Sequence, residues 1–394
     1  MRICLMGVDF TNANLGCQAL GYSMLKIASD ICNERGDKLI VTAIVYNAHK
    51  EAIYDKNSIE MSYICVRPKS LSFYKSYLHC LSNADMVIDF TGGDSFSDIY
   101  GAKNFIVGSL LKNIAIHSKA PLVLGPQTIG PFYRKWVKIW SSRILKKADF
   151  VFVRDEQSFQ YAQQISGISA MLTTDVAFEL PYTVSETNNA SEKKRVGINP
   201  SGLLWFKTKT FDSKKHVTVD YREYLTGVIN HLSNSEEYEI HLIPHVFTPT
   251  TTEYDEDCTE ENDMQACFHI QKMFPNVIVE KELHNPMEAK SIIASMDVFT
   301  GARMHATIAA FSSGVPVIPF SYSRKFEGLY GSLDYEYLIN GTSMSTGTAV
   351  AKTIEWIEQS AKLKVKLNAC LPIVNKKIGD FKDKLIAILY KDVD

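Results

Sequence analysis

In "FTGARMHATIAAFSSGVPVIPF", residues 299–320, an Arg and a His stand two apart among small side chains. A guanidinium grips a phosphate or carboxylate as a two-pronged donor, and an imidazole with an ordinary pKa near 6.5 suits proton transfer at neutral pH. The pattern reads as strand "DVFTGA", a turn, helix "MHATIAAFSS", Gly314 as C-cap and strand "VPVIPF". Arg303, Met304 and His305 then fall at a helix start. Residues two apart within a helix diverge by about 200°, but at the entry turn one sits on the loop and the other on the first turn. Free backbone N–H groups and the positive end of the helix dipole add to the Arg charge, making a pocket for a small anion. The alternative is structural: His305 hydrogen-bonded in the core and Arg303 paired with a carboxylate.

Other stretches supply further polar groups. "HLIPHVF" puts His245 just past a strand as an acid, base or ligand contact, with His241 inside the strand as packing. "SYSRKFEGLYG" brings Arg324 and Lys325 to the rim shared with Arg303, and three cations near one helix start favour a doubly charged anion. In "TGGDSFSD", Gly92 and Gly93 allow close backbone approach, while Asp94 and Asp98 suit a sugar hydroxyl better than a phosphate. The alternative there is a capped strand-to-helix turn. "LGPQTIGPF" holds Gln127 and Thr128 in a rigid loop, and the spacing in "VRDEQSF" predicts a helix start capped by Asp155 beside an Arg154 ion pair. The run "EYDEDCTEEND" reads as a solvated acidic loop without chemistry. No G-x-S-x-G elbow, Walker loop, H-E-x-x-H or spaced metal cluster occurs.

The elements that must position these residues form two series. "RICLMGV", "LIVTAIVY", "MVIDFTGG", "PLVLGPQ" and "FVFVRD" read as strands between helical stretches such as "CQALGYSMLKIASDICNER" and "KWVKIWSSRILKKA". The polar "PYTVSETNNASEKKR" follows, and a second series runs through "VGINPSG", "YEIHLIPHVF", "NVIVEKEL" and "VPVIPFSYS". The expected organisation is an N-terminal domain over 1–182 (acceptor side), a linker over 183–195, a C-terminal domain over 196–360 (donor side) and a helical tail over 361–394. The fold class is α/β, two Rossmann-like domains facing across a cleft, with ligands at the C-terminal ends of the strands.

The 394 residues, with 46% hydrophobic and 22% charged residues, suffice for two cores. A formal net charge of −2 argues against a broadly basic surface for nucleic acid or anionic lipid. The eight cysteines show no C-x-x-C pair, as expected of reduced thiols in a cytoplasmic protein. No signal-peptide core and no membrane-spanning apolar run are present.

The ordered set "TGGDSFSD", "LGPQTIGPF", "VRDEQS", "TTDVAF", "IPH" and "GARMHA…SGVPVIPFSYSRK", over roughly residues 1–335, resembles the polysaccharide pyruvyl transferase family. The resemblance implies a GT-B-like fold and transfer of the enolpyruvyl group of phosphoenolpyruvate onto a surface-glycan sugar as a pyruvate ketal, with no metal or redox cofactor. The family's Arg-x-His pair maps onto Arg303 and His305, the Arg holding the donor and the His moving a proton. Donor contacts are then expected from Arg303, Met304, Arg324, Lys325, His245 and Asn199, acceptor contacts from Asn14, Gly92, Gly93, Asp94 and Gln127, with Asp94 taking the hydroxyl proton. Two positions depart from the family pattern: Cys17 in "NLGCQA", where an Asp is common, and Asn199, where an Arg would suit the donor. A lipid-linked acceptor would bring the chain to the inner face of the membrane, with "SLSFYKSYLHCL" as an amphipathic contact or, alternatively, core packing. Two rival readings are a nucleotide-sugar glycosyltransferase, with Glu327 as ribose carboxylate, and a non-catalytic glycan-binding relative.

Overall fold

Parallel strands covered on both faces must be apolar almost throughout, and the runs "RICLM", "MVID" and "LVLGPQ" meet that requirement. The computed structural model describes residues 1–46, 52–54, 57–183, 193–206, 217–248 and 250–390. Most of the stretch expected as a linker, 184–192, lies outside them. The chain divides into two compact units. Unit 1 is Met1–Asn12, Leu20–Glu179 and Ile373–Asp394, and unit 2 is Ala13–Ala19 with Leu180–Pro372.

In unit 1, strands β1 (Arg2–Met6), β2 (Leu39–Val45), β3 (Ile59–Cys65), β4 (Met86–Asp89), β5 (Leu122–Gln127), β6 (Phe150–Val153) and β7 (Met171–Leu172) form one sheet, ordered β3-β2-β1-β4-β5-β6-β7. Every pairing in it is parallel. The helices are α1 (Leu15–Arg35), whose first turn is grouped with unit 2, α2 (Leu71–Asn83), α3 (Ala102–Ile116), α4 (Lys135–Lys147) and α5 (Glu156–Ser166). Tyr77 of α2, Phe105 and Leu111 of α3, and Val137, Ile144 and Leu145 of α4 share one core with Val87, Leu122, Leu124 and Val151. These three helices therefore cover the same face of the sheet. Each such large apolar side chain contributes about 1.5–3 kcal/mol by burial.

In unit 2, strands β8 (Lys194–Asn199), β9 (Tyr238–Leu242), β10 (Ile278–Val279), β11 (Val298–Gly301), β12 (Val317–Ser321) and β13 (Ile339–Asn340) give the order β10-β9-β8-β11-β12-β13, again parallel. Helices α6 (Gly202–Trp205), α7 (Tyr221–Ser233), α8 (Asp263–Met273), α9 (Pro286–Ala294), α10 (Met304–Ser312), α11 (Arg324–Gly331), α12 (Thr346–Glu358) and α13 (Ser360–Leu389) complete the chain. From Ile373 onward α13 belongs to unit 1, where Thr173 donates to the Lys377 carbonyl and Phe152 meets Phe381 edge-on. Strand order reverses between β1 and β4 in one sheet and between β8 and β11 in the other. Such switch points open a crevice beyond the strand ends, where ligands bind in doubly wound folds.

Candidate functional site

At the switch point of the second sheet, β8 ends at Asn199 and β11 at Gly301, its neighbour in register. A side chain on Gly301 would meet the Asn199 Cβ at 2.9 Å, so the two strand ends come together only around a glycine. Asn199 accepts from the Arg303 backbone N–H at 3.0 Å and donates to the Ile243 carbonyl at 2.9 Å. This fully buried amide ties the exit of β9 to the β11–α10 turn. The sequence reading makes Asn199 a donor contact; in the structure its oxygen and its nitrogen each make a hydrogen bond with the backbone.

Arg303 is the N-cap residue of α10, and Met304 and His305 are its first two helical residues, both half-buried. The guanidinium is filled by carboxylates. Nε and Nη2 donate to Asp263, the latter at 2.7 Å, and Nη1 donates to Glu261 at 2.6 Å. Burial opposes the charge, but Asp263, Tyr322 and Glu261 outweigh it and hold the pKa above the usual value. Arg303, expected as a fork for the donor, is here ion-paired with Asp263 and Glu261. The acidic run read as solvated is corrected with it: Asp263 has no exposed surface. Its carboxylate also accepts from the backbone N–H groups of Gly202, His245 and Val246, at 2.8, 3.2 and 2.9 Å. One signal was available in the sequence. "ND" runs directly into the apolar helix "MQACFHI", which turns the first helical residue inward.

His245 is 3% exposed, and neither ring nitrogen has a hydrogen-bond partner among the described residues. Burial above all, then the nearby His305 and Arg303, push its pKa down to about 3, so the ring is neutral at physiological pH. The segment 13–16 lies against it. Leu15 N donates to the His245 carbonyl, Phe247 N donates to that of Ala13, and Asn14 bridges to Val246. Asn14, expected on the acceptor side, accepts from Gly16 N at 2.9 Å at the start of α1 and belongs to unit 2. Gly16 packs on His305: an added Cβ would sit 2.3 Å from Nδ1. Lys325, near the start of α11, has its pKa pushed down to about 8 by burial, offset in part by the neighbouring Cys17 thiol. Arg324 is exposed beside it. Unit 2 therefore gathers Asn14, Asn199, His245, Arg303, Met304, His305 and Lys325. The sequence reading missed Gly16, Asp263 and Tyr322.

The other expected residues belong to unit 1. Thr91, Gly92 and Gly93 follow β4 with φ of 45°, 62° and 84°. Asp94 is half-buried and accepts from the Tyr100 hydroxyl at 2.8 Å. The motifs "TGGDSFSD", "LGPQTIGPF", "VRDEQS" and "TTDVAF" meet here: Thr128 N donates to the Gly93 carbonyl, and Arg154 donates to Thr128 Oγ1 at 3.0 Å and to Asp175 at 2.6 Å. Asp155 caps α5 through Ser158 N, as its spacing predicted. Gln127 is fully buried; its nitrogen donates to the carbonyls of Asp89 and Gly125, while its Oε1 has no hydrogen-bond partner among the described residues. Asp98 is occupied by the Tyr133 and Arg134 backbone N–H groups and the Arg134 guanidinium.

The family model for polysaccharide pyruvyl transferase matches residues 14–324. The chain belongs to this family. That membership makes it a transferase of polysaccharide biosynthesis. Amylovoran biosynthesis protein AmsJ of Erwinia amylovora is 21% identical over 308 residues, covering 73% of this chain and 70% of that protein. Among solved structures, a glycosyltransferase of Rickettsia africae has a TM-score of 0.58 at 10% identity, covering 99% of this chain and 98% of that one. A UDP-N-acetylglucosamine 2-epimerase gives 0.58 at 11%, covering 100% and 97%. An alpha,alpha-trehalose-phosphate synthase of Burkholderia vietnamiensis gives 0.53 at 8%, covering 99% of each. These likenesses establish the fold, the GT-B type expected from the motifs.

Proposed function

We propose that this protein moves the enolpyruvyl group of phosphoenolpyruvate onto two hydroxyls of a glycan sugar, closing a pyruvate ketal and releasing phosphate. The observation that carries this reading is His245, a buried neutral imidazole beside His305 whose two nitrogens have no hydrogen-bond partner among the described residues. An unmade hydrogen bond on a buried polar group costs about 1–3 kcal/mol, which a polar ligand would recover. Phosphoenolpyruvate offers a carboxylate and a phosphate to that imidazole, to Lys325 and to the N-terminal turn of α10.

In this reading His305 donates the proton that makes the methylene a methyl and leaves C2 electrophilic. One sugar hydroxyl adds at C2, the C2–O bond to phosphate breaks, and the second hydroxyl closes the ring. Both hydroxyl protons leave: one replaces the proton His305 gave, the other departs with phosphate. His245, kept neutral, donates or accepts a hydrogen bond without competing as a cation. Arg303, locked by Asp263, holds the α10 entry turn. The scheme needs no metal or redox cofactor. In the other unit, the Gly92–Asp94 loop carries a carboxylate suited to a sugar hydroxyl, and we assign it to the acceptor.

The test is incubation with phosphoenolpyruvate and a panel of free and lipid-linked galactosides and mannosides. Acceptor-dependent phosphate release with a product heavier by one ketal is expected; phosphate release without a ketal product would sink the reading. The GT-B likeness favours a second reading, transfer from a nucleotide sugar. Its ribose contact would be Glu327, which accepts from Asn340 Nδ2 at 2.7 Å. Thermal stabilisation by a uridine nucleotide and not by phosphoenolpyruvate would favour it.

A further inference from the structure

The overall charge conceals a local asymmetry. Residues 99–148 hold nine Lys or Arg and no Asp or Glu, in a chain with 42 basic and 44 acidic residues. Helices α2, α3 and α4 contain no acidic residue at all. Lys112 is buried against Asp89, whereas Lys103, Lys135, Lys138, Arg143, Lys146 and Lys147 are exposed. The same layer exposes Leu71 and Leu78 of α2, Ile106 and Leu110 of α3, and Trp136 (42%) and Ile139 (54%) of α4. Singly, an exposed Leu means little. Here six large apolar side chains share one three-helix layer with a one-signed charge. Between α3 and α4 runs a groove of about 530 Å³, lined by Asn113, Trp136, Ile139, Trp140, Arg143 and Lys147.

We propose that this layer docks on the surface of an anionic lipid bilayer. Cations with Trp and aliphatic side chains on one face match a headgroup-acyl boundary, where the charges meet lipid phosphates and the apolar groups enter the interface. A nucleic acid would use the charges but leave the Leu and Ile side chains in water. No helix among the described residues is long and apolar enough to cross a membrane, so the contact is with the surface. The segment nominated from sequence, "SLSFYKSYLHCL", contributes only its outer edge, since Phe73, Tyr77 and Leu81 face the core.

The experiment is sedimentation of the full chain with phosphatidylcholine vesicles, with and without phosphatidylglycerol. Binding is expected only with the anionic lipid and should weaken with added salt. The triple variant Lys135→Gln, Lys138→Gln, Lys146→Gln should partition on the order of 100-fold less, about fivefold per cation. Trp136→Ser with Ile139→Ser should also lose binding, whereas Lys272→Gln, Lys362→Gln, Lys376→Gln should bind as the parent does. Absence of binding to the anionic vesicles, or a triple variant within twofold of the parent, overturns the proposal. So does tighter binding to a DNA duplex than to the vesicles. No donor is present, so failure here leaves the transferase reading untouched.

Discussion

Gly16 and His305, nearly three hundred positions apart in sequence, are in backbone-to-ring contact: a Cβ on Gly16 would lie 2.3 Å from Nδ1 and 2.7 Å from Cγ of the imidazole. The clash reaches the base of the ring, so rotating its far end cannot relieve it. Gly16→Ala should displace His305 at a cost of about 1–3 kcal/mol, as for other overpacked sites. We expect kcat to fall at least tenfold in a protein that still folds. Unchanged kcat in Gly16→Ala would show that the ring position does not matter.

His305→Ala tests the acid itself. General acid–base catalysis contributes roughly 10²–10⁴-fold, so acceptor-dependent phosphate release should drop by that factor while the melting temperature changes little. His305→Gln, which keeps a polar side chain without a titrating group, should be equally slow. Either variant at parental rate removes His305 from the chemistry.

The ion pair beneath it makes a different prediction. Asp263→Asn leaves the buried Arg303 charge with Glu261 as its one carboxylate partner among the described residues and loosens three backbone contacts. Removing one partner of a buried pair costs about 3–5 kcal/mol, against far less when both are replaced by apolar groups. The double variant Asp263→Leu, Arg303→Met should therefore be more stable in urea than the sum of the two single changes. Additive losses would mean that the pair is not coupled.

How legible this was in the sequence differs by residue. Strands β1, β4 and β5 announce themselves because both faces are buried and the runs are apolar throughout. The edge strand β3, "IEMSYIC", alternates with polar residues, and β7 and β13 have two residues each, too few for any period. The helix-start placement of Arg303 and His305 follows from a strand, small residues and an apolar helix in succession. Their partners do not. Asp263 is forty positions away in a run whose composition reads as solvated, and Gly16 is nearer the other terminus. Long-range pairing leaves a local trace only when its geometry demands a special residue, and a lone glycine names no partner.

His245 should make the protein acid-sensitive. The unfolded chain binds this proton below about pH 6.5, while the folded chain, with the pKa at about 3, refuses it, so stability falls as pH drops through that window. The slope from this one group is about 1.4 kcal/mol per pH unit. His245→Gln should flatten the decline in unfolding free energy, measured by urea titration between pH 6.5 and 5, by up to about that slope. An equally steep decline in the variant would mean that the imidazole is protonated in the fold.

Lys325 gives the opposite limb. Burial holds its pKa at about 8, so the ammonium is present at pH 7 and lost as pH rises through 8, well before an ordinary lysine near 10.4 would lose it. Binding of an anionic donor should weaken over the same range, and a bound phosphate should shift the midpoint upward by stabilising the charged form. Measured by calorimetry between pH 7 and 9.5, the dissociation constant for phosphoenolpyruvate should rise with pH. Lys325→Met should bind weakly at every pH with that rise abolished. Lys325→Arg should restore a charge that does not titrate, and with it a nearly flat profile. A rise with pH that survives in both variants would assign the titration to another group.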